Sequence, residues 1–138
     1  MRELLVIVLS AVVGCSASLA QKSEQYSRCI GKASTQTVMH VCANEEALRA
    51  DAELNDIYQN LLSVARKQSA SVDKVRAAEK AWIGYRDAYI DAMYPATDKQ
   101  AAYGSSYPME VDLLRAKLTQ QQIAALKELL KRYSDSDR

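Results

Sequence analysis

Residues 81–88 read Ala-Trp-Ile-Gly-Tyr-Arg-Asp-Ala and hold the only tryptophan of the chain. On a helix Trp82, Tyr85, Arg86 and Tyr89 fall at i, i+3, i+4 and i+7 and share one face. An arginine inside an aromatic stripe demands a carboxylate, because an unpaired buried guanidinium costs several kcal/mol. Residues 50–58 offer one: Asp51, Leu54, Asn55 and Tyr58 repeat the same spacing. The pattern predicts two helices zipped along these stripes, with Arg86 clasped by Asp51 and with Asn55 and Tyr58 meeting the remaining hydrogen-bond demand. Asp87 adjoins Arg86, so the two should point apart on a helix, and the partner of Asp87 is left open. The six residues Asp51, Asn55, Tyr58, Trp82, Arg86 and Asp87 thus form a structural polar clasp. The rival reading, a ligand or partner site, is weaker because buried polar groups are normally paired for satisfaction.

The rest of the chain is consistent with helices. Four glycines and two prolines in 138 residues leave few places for hairpin turns. A short helix is expected over residues 23–30, ended by Gly31. Ser34, Thr35 or Thr37 can cap a long amphipathic helix over residues 37–67, with Val38, Val41, Cys42, Leu48, Ala52, Leu54, Ile57, Tyr58, Leu61, Leu62 and Ala65 inward. After a break at residues 69–71, a second long helix runs over 72–94, with Val75, Ala78, Trp82, Tyr85, Tyr89 and Met93 inward, and stops before Pro95. A loop over 95–107 precedes a third long helix from Pro108 to Tyr133. The fold expected is all-α: a small antiparallel bundle of three long helices plus a short N-terminal helix stapled by one disulfide.

Residues 1–20 read as an export signal rather than as fold, with an apolar stretch over 4–13 too short to span a bilayer. Two exits are open. Ser18-Leu19-Ala20 suits ordinary signal peptidase, and Val12-Val13-Gly14-Cys15 resembles a lipobox that would make Cys15 a lipidated N-terminus. Residues 21–138 form a single domain. Export permits disulfides, and Cys29 and Cys42 are the even pair that remains, worth about 3 kcal/mol if bridged. Two free thiols are the alternative, and a metal site through His40 and Cys42 lacks further ligands.

Inventory bears on function. One histidine with no thiol or hydroxyl obviously poised beside it argues against nucleophilic catalysis. Carboxylate pairs such as Glu45/Glu46 and Asp51/Glu53 sit at spacings that point apart on a helix. A net charge of +1 provides no basic field for nucleic acid. No cofactor or metal is expected. Two surfaces are candidates for partner binding: the acidic run Glu45, Glu46, Glu53 and Asp56, and the loop tyrosines Tyr94, Tyr103 and Tyr107. Their plainer readings are a solvated helix face and a cap on the open end of the bundle.

Taken together, Cys29 and Cys42, the string over 50–55 with Tyr58, Ala81-Trp82-Ile83, residues 85–88 and Leu118-Thr119 resemble the LprI-like lysozyme inhibitors, a family of small exported helical modules. The resemblance covers about residues 24–130 and implies a non-catalytic binding module whose partner is lysozyme or another envelope protein. It also implies location in the periplasm or on the outer membrane as a lipoprotein. The alternative is a structural or adaptor protein of the periplasm. Two departures stand out. Family members often carry two further cysteines, near the places of Ile90 and Leu114, and the joint loss of both supports pairing Cys29 with Cys42. An arginine usual after the Leu-Thr pair is missing, with Gln122 nearby.

Overall fold

A computed structural model describes residues 22–68 and 71–135. The expected export signal and Cys15 lie outside the described residues. Among the described residues five helices follow one another: α1 (Glu24–Ile30), α2 (Gln36–Ala65), α3 (Ser71–Met93), α4 (Lys99–Tyr103) and α5 (Tyr107–Asp135). The all-α expectation holds, and Cys29 is bonded to Cys42, tying α1 to α2. Ser23 caps α1 by accepting the Tyr26 N–H, and Thr35 caps α2 by accepting the Val38 N–H. Gly31 ends α1 as expected, in an ordinary right-handed conformation. The 95–107 loop contains the short helix α4, capped by Asp98, which the sequence pattern did not disclose. Gly104 ends α4 at φ 72°, a region that favours a residue without Cβ.

The central pairing is α2 with α5. Bonds from α2 to α5 and to the turn just before it recur at a nearly constant offset in sequence: Gln36 to Ser105, Asn44 to Asp112 and Asp51 to Thr119, separated by 69, 68 and 68 residues. A constant offset means that the two helices run parallel and in step. Helix α3 runs in the opposite direction and packs against both. Its Val75 joins the core at the C-terminal end of α2, and its Glu79 meets Gln122 of α5.

Along α2 the buried positions Ala43, Ala47, Ala50, Leu54, Ile57 and Leu61 alternate spacings of four and three. This is the pattern of a helix held against one partner along a narrow seam. The upper half of the seam is built from alanines, with Ala47 and Ala50 packed on Ala116 of α5. The lower half is a larger cluster in which Leu54, Ile57, Leu61, Leu62 and Ala65 meet Val75, Ile123 and Leu126.

This seam corrects the inward faces drawn from the sequence. Val38, Val41, Leu48 and Ala52 of α2 are exposed. So are Ala78, Tyr85, Tyr89 and Met93 of α3. The reason is steric. Small side chains let two backbones approach closely, and the bulkier residues a few positions away are displaced to the outside. Helix α3 is the least embedded of the long helices, with only Val75, Glu79 and Ile90 buried.

Candidate functional site

The predicted clasp is rearranged. Asp51, Asn55, Trp82 and Arg86 do line one groove between α2 and α3, together with Leu54, Glu79 and Ile83, enclosing about 170 Å³. Within it, however, Arg86 does not take Asp51. Its Nε donates to Asp87 Oδ1 at 2.9 Å, and its guanidinium lies 5.2 Å from the Trp82 ring centroid. The expectation that Arg86 and Asp87 point apart fails because the arginine side chain is long enough to fold back on its neighbour. Stacking on Trp82 holds it in that position.

Asp51 is engaged elsewhere. The Thr119 hydroxyl donates to Asp51 Oδ1 at 3.2 Å, and Thr119 is fully buried. The α2–α5 seam therefore carries the polar tie that the sequence reading assigned to α2 and α3. A threonine inside the apolar stripe of the last helix was the available signal, because a buried hydroxyl needs a partner. Asn55 is exposed, and Tyr58 packs half-buried against the main core. Glu79, absent from the sequence-derived set, is buried and accepts from Gln122 Nε2 at 2.9 Å. Gln122 thus supplies a neutral donor at the place where an arginine was expected from the resemblance.

The acidic run on α2 is largely neutralised within the molecule. Glu46 is only 7% exposed. It accepts from the Ser23 N–H at 2.7 Å, from the Ser23 hydroxyl and from Arg49 Nη2 at 2.8 Å. Burial pushes its carboxyl up, but the two Ser23 bonds and Arg49 together hold it below the usual carboxylate value. Glu45 also lies within 3.9 Å of Arg49. Glu53 is bonded by Lys127 of α5 at 2.8 Å, and that bond holds its carboxyl below the ordinary value despite partial burial. Glu46 is therefore part of the attachment of α1 rather than a surface charge, and Glu53 ties α2 to α5.

The three loop tyrosines pack on one another. Tyr94 meets Tyr103 and Tyr107 edge-on, each at 5.1 Å, and Tyr103 stacks on Tyr107 at 5.7 Å. Tyr103 Oη accepts the Ala96 N–H, Lys99 bonds the Tyr94 carbonyl, and the Tyr94 hydroxyl contacts Glu110 at 3.4 Å. Burial, then Glu110, raises the Tyr94 phenol above its ordinary value. All three tyrosines are half-buried, which makes them first of all the closure of this end of the bundle.

What α3 leaves unpacked is different in kind. Tyr85, Tyr89 and Met93 succeed one another at i, i+4 and i+8 and are 57%, 39% and 51% exposed. The Tyr85 and Tyr89 rings lie 5.8 Å apart in a tilted contact, so the ridge is preassembled. Sequence periodicity placed these residues in the core, because an amphipathic stripe looks the same whether its partner is inside the chain or outside it.

The profile of the family described as Lysozyme inhibitor LprI matches residues 29–126, which include the disulfide, the α2–α3 groove and the α2–α5 seam. The chain belongs to the LprI family. It is also 34% identical over 134 residues to an uncharacterized protein of Rhizobium meliloti (strain 1021), covering 88% of this chain and 91% of that protein. No solved structure matches.

No group of three or more potential metal ligands occurs among the described residues. His40, the only histidine, is half-buried on α2. No helix among the described residues is long and apolar enough to cross a membrane. The aromatic ridge of α3 lies on the solvent side of the molecule, and the α2–α3 groove is lined by Trp82, Ile83 and Arg86 of the same helix.

Proposed function

We propose that this LprI-family chain is a non-catalytic, exported binding module that inhibits lysozyme by direct protein–protein contact. The ridge Tyr85–Tyr89–Met93 on α3 supports the reading most directly. Burying large apolar side chains in the fold would gain roughly 1.5–3 kcal/mol each, yet these remain largely in water on the least embedded helix. Exposed tyrosines and methionine are the residue types that concentrate binding energy at interfaces. Inhibition then needs only that the ridge seat against the enzyme and occlude its cleft, with no bond made or broken. Export to the periplasm, either free or as an outer-membrane lipoprotein, belongs to this proposal and accords with the disulfide.

The test is a lysozyme turbidity assay with purified mature protein. Tyr85→Ala with Tyr89→Ala should weaken inhibition at least tenfold while the melting temperature stays within a few degrees of the parent. Absence of inhibition of several lysozyme types at micromolar protein would overturn the reading and leave the structural or adaptor role in its place.

A further inference from the structure

Beside α1, on a face that neither the ridge nor the groove uses, lies a cavity of about 220 Å³. Its apolar wall is Leu113, Leu114 and Ala116 of α5. Its polar edge carries two ammonium groups, Lys22 before α1 and Lys117 on α5, with the Gln120 amide beyond them. Lys22 sits 5.1 Å from the Tyr26 ring centroid, and Tyr26 is buried.

Glu46 also borders the cavity, and its charge would oppose an anion. Its carboxylate is already bonded by both donors of Ser23 and by Arg49. Lys22 and Lys117 against Glu46 leave one positive charge in excess at the opening, and the Glu46 carboxylate is turned to Ser23 and Arg49. A positively charged mouth over a hydrocarbon wall is complementary to an amphipathic anion.

We infer that this cavity binds a single-chain alkyl anion, with its carboxylate or phosphate head between Lys22 and Lys117 and its first methylenes on Leu113, Leu114 and Ala116. A peptide is the poorer occupant. Helix α5 runs unbroken from Tyr107 to Asp135, so the backbone along this wall is committed to its own helix and has nothing to offer a second chain's amides. An alkyl chain asks for no such partner. The cavity also has no aromatic residue along its wall on which a sugar ring would stack. The site is independent of lysozyme inhibition and stands or falls without it.

The experiment is calorimetric titration and thermal melting of the mature protein with decanoate and with decyl phosphate, below their micelle concentrations. Saturable one-to-one binding of at least one of them, with a higher melting temperature, is the expected result, and the preferred head group distinguishes a fatty acid from an alkyl phosphate. The variant K22Q/K117Q alters two exposed side chains and should fold normally while losing about tenfold in affinity. Decylamine, with the same tail and the opposite charge, should bind at least tenfold more weakly than the anions. Failure of both anions to bind, equal binding of decylamine, or undiminished binding by K22Q/K117Q would each overturn the assignment.

Discussion

Replacing Glu46 with alanine separates a structural acid from a partner-seeking one. The side chain is 7% exposed and receives the Ser23 N–H, the Ser23 hydroxyl and Arg49. Hydrogen bonds to a charged group are each worth about 1.5–3 kcal/mol, but three bonds on one carboxylate are not additive. Two features reduce the cost further. Arg49 keeps Glu45 at 3.9 Å, and α1 stays bonded to α2 through Cys29 and Cys42. A loss of about 2–4 kcal/mol follows, smaller than breaking a fully buried ion pair would give at its upper range. Glu46→Gln keeps the shape and one acceptor and should lose about half as much. Urea denaturation followed by circular dichroism measures the loss, and hydrogen exchange locates it. Because α1 depends on this carboxylate, its amides should lose protection before those of α2 and α5. If the alanine variant stays within about 0.5 kcal/mol of the parent with α1 still protected, the attachment assigned to Glu46 is wrong. If lysozyme inhibition disappears while stability is unchanged, Glu46 is a contact residue after all.

The remaining expectations concern pH and the seam. The carboxyls of Glu46 and Glu53 are held below the ordinary value, so their contribution is complete above the unfolded carboxylate value and is lost as pH falls through the folded values. The phenols of Tyr26 and Tyr94 are raised, so stability should also decline as pH climbs past the ordinary phenol value. Urea midpoints measured from acid to alkaline pH should therefore form a plateau that falls at both ends, and a midpoint that keeps rising into acid would contradict these carboxylate contacts. Ala50→Leu inserts a larger side chain where Ala47, Ala50 and Ala116 touch and should cost about 1–3 kcal/mol or more in the same assay. A neutral or stabilising result would show that α2 and α5 are not closely apposed there.

The helices were legible because their signals are local. Gly31 after α1, Thr35 as one of three candidate caps of α2, Pro108 in the first turn of α5 and the stop before Pro95 all act within a few residues of where they stand, whereas the cap of α1, Ser23, was read as its first residue. Helix α4 was not legible, since five residues are too few to show a period. Partner choice was the part that misled. Arg86 and Asp51 were placed on compatible stripes and do share a groove, yet each found a nearer partner, Asp87 for one and Thr119 for the other. A spacing of i, i+3, i+4 and i+7 states which side chains share a face and is silent on what that face meets.

The amino-acid order by itself therefore settled the helical class, the approximate extents of the long helices, the two cysteines available for a bridge and the family resemblance. These follow from backbone preferences and covalent chemistry that need no distant partner. Only the folded chain decided that α2 pairs in parallel with α5, that Glu46 turns inward to hold α1, and that the tyrosine ridge of α3 is left outside. Those outcomes depend on which surfaces can approach most closely. Ala47, Ala50 and Ala116, inconspicuous in sequence, pack α2 on α5, while the Tyr85–Tyr89–Met93 stripe of α3 faces solvent.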